Sequence, residues 1–158
     1  MREVEVLGVR VEMPSNQPVI LLRECEGTRV LPIWVGAVEA SAIALAQQGA
    51  DSERPLTHEL LGDVIEALGD ELEEVRIVDV DDGIFYAALV FASGASVDAR
   101  PSDAIALALR AARRIVCAED VLEVAGLASP REEDEQVAQF REFLDAIDPE
   151  DFETGLEP

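Results

Sequence analysis

Two Arg-Pro dipeptides mark the places where chemically capable side chains gather. In VDARPSDAIALALR, residues 97–110, Asp98, Arg100, Ser102 and Asp103 fall at the join between a short strand and an apolar helix. In the other, Arg54 and Pro55 precede Thr57, His58 and the helical run ELLGDVIEALGD. Proline suits the first turn of a helix because its missing N–H has no intrahelical partner there, so both dipeptides read as helix starts. Unpaired N–H groups and guanidinium forks at such starts suit an anion such as phosphate, which makes Arg54, Arg100 and Arg110 candidate phosphate contacts. Carboxylates suit a hard divalent cation, magnesium or manganese, with Asp98 and Asp103 as candidate ligands. His58, the chain's single histidine, suits proton transfer near neutral pH, and Glu39 is a further candidate acid or base. If the two helix starts converge, His58, Asp98, Arg100 and Asp103 share one cleft.

Several of these residues also have a structural use, but capping explains neither Asp98 nor Arg100. Asp103 complements the positive end of its helix dipole, as Glu39 does in the helix AVEASAIALAQQ, and Thr57 is placed to cap the helix that follows Arg54-Pro55. Arg100, Arg110, Arg113 and Arg114 form the densest basic cluster in the chain. Continued as a helix, that stretch puts Arg110 and Arg114 on one face, where they would either meet a polyanion or simply oppose the C-terminal dipole.

The elements that must position these groups follow from periodicity. Alternation predicts a strand over Val4–Val11 with a bulge near Gly8, and a hairpin of Val19–Arg23 with Arg29–Trp34. A helix follows Gly36 and closes at Gly49. Leu60, Leu61, Val64, Ile65 and Leu68 mark a helical stripe, and Asp81-Asp82-Gly83 turns a second hairpin that leads through Ser96–Ala99 to the second Arg-Pro helix. A short strand at Ile115–Cys117 and a brief helix closed by Gly126 complete the domain. SAIALA at Ser41–Ala46 echoes DAIALA at Asp103–Ala108, consistent with a repeated hairpin-helix unit. The expected fold is α+β: a mostly antiparallel or mixed sheet packed against several helices. Residues 1–127 are expected to form the domain. Residues 128–158 are expected to form an acidic extension with one amphipathic helix through Val137, Phe140, Leu144 and Ile147.

Composition narrows the class of partner. The sequence carries 34 acidic against 12 basic residues, a formal charge of −22, with every basic residue an arginine. Such a surface repels polyanions unless a local cluster compensates. Cys25 and Cys117 lack the spacing of a zinc site or redox pair and read as buried, unpaired thiols. No stretch has the apolar core of a signal peptide or the length of a bilayer span, so a cytoplasmic protein without membrane contact is expected. Glycine-rich phosphate loops and the common hydrolase signatures are absent, and no organic cofactor is expected.

LPIWVGAVEASAIALA, RPLTHELL, DDGIFYAALVF, VDARPSDAIALALR and VCAEDVLEVAG, in that order, resemble the bifunctional nuclease domain family of bacteria and plants across roughly residues 3 to 127. The resemblance implies a compact α+β domain and nuclease activity on RNA and DNA, the activity assigned to plant members. On that reading nucleic acid is the substrate, hydrolysed with metal assistance. The alternative is a non-catalytic, oligomeric binding or regulatory module for a small anionic ligand or a protein partner. A homo-oligomer, with a dimer favoured, is expected in either case, and the acidic tail would meet a partner or a neighbouring subunit.

Overall fold

A computed structural model of the chain describes residues 1–128, so the acidic extension and its amphipathic helix, apart from Ala128, lie outside the described residues. Among the described residues eight strands form one mixed sheet, and four helices accompany it. Strands β1 (Arg2–Glu12), β2 (Gln17–Glu24) and β3 (Arg29–Trp34) form an antiparallel meander, followed by α1 (Ala37–Gln48) and α2 (Thr57–Ala67). A second antiparallel meander, β4 (Leu72–Asp81), β5 (Ile84–Phe91) and β6 (Ser96–Ala99), leads into α3 (Pro101–Ala111). Strand β7 (Arg114–Cys117) then inserts between the meanders, parallel to β4 and antiparallel to β1. Helix α4 (Glu119–Ala125) and β8 (Leu127–Ala128) close the unit on the free edge of β3.

Local sequence explains much of this. Asp82 and Gly83 both take positive φ, 49° and 77°, the backbone that a tight hairpin turn needs to match the twist of β4 and β5. The register of β1 on β2 slips between Val6 and Gly8, which is the expected bulge. Each meander ends in a helix bearing the echoed hexapeptide, and α1 packs on α3. Ile43 and Ile105 occupy equivalent places in the echo, and both are fully buried.

Helix α3 lies at the centre of the packing. Residues Ala104–Ala108 are buried without exception, and the helix packs on α1, α2, β4, β5 and β7. The alternation of alanines with Ile105 and Leu107 lets several elements approach it closely.

Two local expectations change. Thr57 is the first helical residue of α2 rather than its cap: Leu56 holds the extended capping conformation, and its carbonyl accepts the Leu60 N–H at 2.7 Å. Arg113 and Arg114 are not helical, because Ala112 turns left-handed at φ 53° and ends α3. Arg110 and Arg114 therefore share no helix face.

Candidate functional site

The two Arg-Pro helix starts converge. Arg100 holds the extended capping position of α3, with Pro101 and Asp103 both in the first turn. Its Nε donates to Asp103 Oδ2 at 2.8 Å, and its NH1 donates to Glu39 Oε1 at 3.1 Å, on the first turn of α1. Asp103 Oδ1 lies 3.1 Å from His58 Nε2, one residue into α2. Glu39, Arg100, Asp103 and His58 thus make one continuous polar chain across three helices. The chain lies partly open: the Arg100 side chain is 64% exposed and His58 18%.

Electrostatics reinforce the pairing. Burial is the largest single influence on Asp103 and pushes its carboxyl up, but hydrogen bonds from Arg100 and His58, with their charges, outweigh it and hold the group below its ordinary range. The Asp103 hydrogen bond in turn raises the Arg100 guanidinium above its usual value. Asp103 is therefore an ionised acceptor at neutral pH, fit to orient an imidazole.

The other sequence candidates lie apart from this chain of contacts. Arg110 donates to the Ala50 carbonyl at 2.9 Å and lies 3.5 Å from Glu59 Oε1, which ties the end of α3 to the segment after α1 and to α2. Asp98 is exposed on β6 opposite Ala88, and Arg54 is exposed ahead of α2; neither forms an ion pair among the described residues. Arg113 pairs with Glu71 and Arg114 with Glu74, so the basic cluster of the sequence disperses onto separate acids.

Among the described residues no three His, Cys, Asp or Glu side chains group as a metal cage. Both Asp103 oxygens are already occupied by Arg100 and His58. Asp103 thus faces Arg100 and His58, while Asp98 stands apart on β6, and the two join no group of three such ligands among the described residues.

Sequence reasoning missed Glu59. Its Oε1 is buried and accepts no hydrogen bond, with the Arg110 cation as its nearest partner. It lines a groove of about 700 Å³ between α2 and the end of α3, which His58 borders and Asp63, Glu66 and Asp70 make acidic. Its position directly after His58 is the signal that was available. The groove opens on the His58 side of the polar chain, whereas Arg100 does not line it. A polyanion would meet repulsion in the groove.

The domain is α+β, and its helix starts join a histidine, an aspartate and an arginine. The bifunctional nuclease domain model matches residues 20–130, and the chain belongs to that family. It is also similar along nearly its whole length to two proteins of Mycobacterium tuberculosis, "Uncharacterized protein MT1877" of strain CDC 1551 / Oshkosh and "Uncharacterized protein Rv1829" of strain H37Rv. Each is 54% identical over 161 aligned residues, covering 96% of this chain and 98% of the relative. No helix among the described residues is long and apolar enough to cross a membrane.

Proposed function

We propose that the chain cleaves phosphodiester bonds in RNA and DNA, with His58 as general base, Asp103 as its orienting partner and Arg100 as the phosphate contact. The observation that carries this reading is the His58 Nε2 to Asp103 Oδ1 contact at 3.1 Å, with the exposed Arg100 fork on the same carboxylate. One ring nitrogen is anchored, and Nδ1, which has no hydrogen-bond partner among the described residues, remains to accept a proton. In this scheme His58 takes the proton of an attacking water, or of a ribose 2′-hydroxyl in RNA. The oxygen bonds to phosphorus as the bond to the leaving oxygen breaks, and that oxygen takes a proton from solvent. Arg100 offsets the charge that builds on the non-bridging oxygens. Family membership supports the reaction class, and the helix-start geometry supports the roles.

A second reading rests on a different observation. Glu39 and Asp103 together neutralise Arg100, and the network joins α1, α2 and α3 without a substrate. The same residues would then hold a binding or regulatory module together.

Cleavage of single-stranded RNA and DNA by the purified full chain separates the two readings. His58→Ala and Asp103→Ala variants are purified in parallel, with and without magnesium or manganese. The enzyme reading requires wild-type cleavage that both variants lose. Cleavage that persists in the variants is contamination and removes the site, while inactivity of folded wild type under every condition favours the binding module. An ion bridging Asp98 or Asp103 to substrate phosphate would show as a metal requirement.

A further inference from the structure

Two arginines share one buried carboxylate in the middle of the sheet. Glu74 on β4 is 4% exposed; its Oε1 accepts from Arg76 Nε at 2.5 Å, and its Oε2 accepts from Arg114 Nε at 2.7 Å and lies 2.6 Å from Arg114 NH2. The parallel register of β4 on β7 sets Arg114 beside Glu74, and Arg76 follows two residues along β4 on the same face. Val75, Ile77, Ile115 and Cys117 alternate with these residues and belong to the core that α3 fills. The triad therefore lies on the opposite face of the sheet from α3, whose first turn carries Asp103.

We propose that Arg76 and Arg114 form an anion site that takes a single phosphate group, with Glu74 as the buried anchor that holds the two guanidinium groups side by side. Burial is the largest influence on Glu74 and pushes its carboxyl up, but the hydrogen bonds and charges of both arginines outweigh it, so the group is ionised at neutral pH. One cation would neutralise it. The second leaves a surplus positive charge, and two guanidinium groups on one carboxylate repel each other until an anion joins them. The side chains are open to receive one, at 42% and 58% exposure. Arg76 NH1 and NH2 and Arg114 NH1 have no partner among the described residues, and such forks match phosphate oxygens.

The surroundings limit the ligand to a compact one. Asp98 and Glu3 lie in the same cross-strand row as Arg76, each two strands away, Asp98 beyond Ala88 and Glu3 beyond Val116. That separation is about 10 Å, near the screening length in 0.1 M salt, and neither acid pairs with the arginines. Glu73, in the bulge before Glu74, is exposed as well. A single phosphate is held at close range, whereas a longer polyanion would run on into these acids. Arg2 and Arg29 supply the contrast: they share two acids, Glu24 and Glu119, and leave no surplus charge. The proposal does not rest on the catalytic reading of His58.

Titration of the full chain with inorganic phosphate, followed through the arginine Nε–Hε resonances while chloride holds the ionic strength at about 0.1 M, reads the site independently of activity. The Arg76 and Arg114 signals are expected to move along a saturable curve with Kd on the order of 1 to 10 mM, and those of Arg2 and Arg29 to stay in place. Arg76→Gln leaves Glu74 both contacts from Arg114, so circular dichroism should be unchanged while phosphate binds at least about 10-fold more weakly. Arg76→Lys, which keeps the charge without the fork, should fall between the two. No saturable movement at Arg76 and Arg114 in wild type overturns the proposal and leaves the triad as a scaffold; so does an Arg76→Gln protein that binds phosphate as wild type does. Thymidine 5′-phosphate binding as well as inorganic phosphate upholds the site and assigns it a terminal phosphate, whereas binding of inorganic phosphate alone upholds it for the free ion. A single-stranded oligothymidylate without a terminal phosphate, bound more tightly at these arginines than either, overturns the single-phosphate assignment.

Discussion

His58 Nε2 and Asp103 Oδ1 stand 3.1 Å apart although 45 residues separate them in the chain. The contact joins α2 to α3 at the point where both helices begin, so one substitution perturbs proton transfer and helix placement together. His58→Ala is expected to lower kcat by roughly 10²- to 10⁴-fold, the usual contribution of a positioned general base. Asp103→Asn keeps the shape of the side chain but loses its charge, and should cost less. Because the two act as one unit, the double variant should be scarcely worse than His58→Ala alone. Single-turnover kinetics on a defined oligonucleotide measures all three, and additive losses would break the pairing.

Arg100 supplies the site's most exposed charge, and its loss should appear in substrate binding. Arg100→Ala is expected to raise KM by about 10- to 100-fold, and Arg100→Lys to restore little of it, since an ammonium lacks the planar fork. Glu39→Gln releases one of the two acids that hold this guanidinium. If Glu39 only restrains Arg100, KM falls a few-fold with kcat unchanged; a fall in kcat instead would place Glu39 in the chemistry. Initial-rate measurements on the two variants separate these roles.

The fold was more legible than the site, and the reason lies in range. The Asp82-Gly83 turn, the Gly8 bulge and the Gly49 helix end are set by a few adjacent residues, so their letters predict them. The insertion of β7 between β4 and β1 depends on pairing between distant strands, and no local pattern encodes it. At the site, the Arg-Pro pairs indicated helix starts, but their convergence depends on the packing of α2 on α3. Arg110 depends on packing in the same way: its letter matches a phosphate contact, while its surroundings supply the Ala50 carbonyl and Glu59. Asp98 differs from Asp103 only in standing on the strand side of the turn, and that step keeps it out of the polar chain.

Acid should weaken the domain through Glu24. This carboxylate, 5% exposed at the end of β2, accepts hydrogen bonds from the Arg29 backbone N–H at 3.2 Å, from Nε at 3.0 Å and from NH2 at 2.7 Å. The Arg29 hydrogen bond is the largest influence and holds the carboxyl below its ordinary value against the opposing effect of burial. A depressed folded-state pKa means that the stabilisation is complete above the unfolded value near 4.5 and is lost as pH falls through the folded one. Calorimetric melting between neutral pH and pH 3 should show a steep decline for wild type. Glu24→Gln should melt lower, by roughly 5 °C at neutral pH, with a shallower acid limb. An unchanged acid limb would show that other carboxylates control the loss.

The two thiols should separate cleanly. Both cysteines read as buried from the sequence, but only Cys117 is: it is fully enclosed at the end of β7, whereas Cys25 is exposed beyond β2. Position decides this, because Cys117 pairs with Arg2 inside the sheet while Cys25 lies in the turn before β3. Burial pushes the Cys117 thiol up to about 12, which leaves almost no thiolate at neutral pH. Desolvation also raises Cys25, with Glu3 and Glu5 adding repulsion, so it should react more slowly than a free thiol. An aromatic disulfide reagent at pH 8 should therefore titrate one thiol in the folded protein, slowly, and a second only after denaturant is added. Cys25→Ser should abolish the first phase and leave the second. Two thiols reacting at one rate without denaturant would mean that β7 opens far more readily than its burial implies.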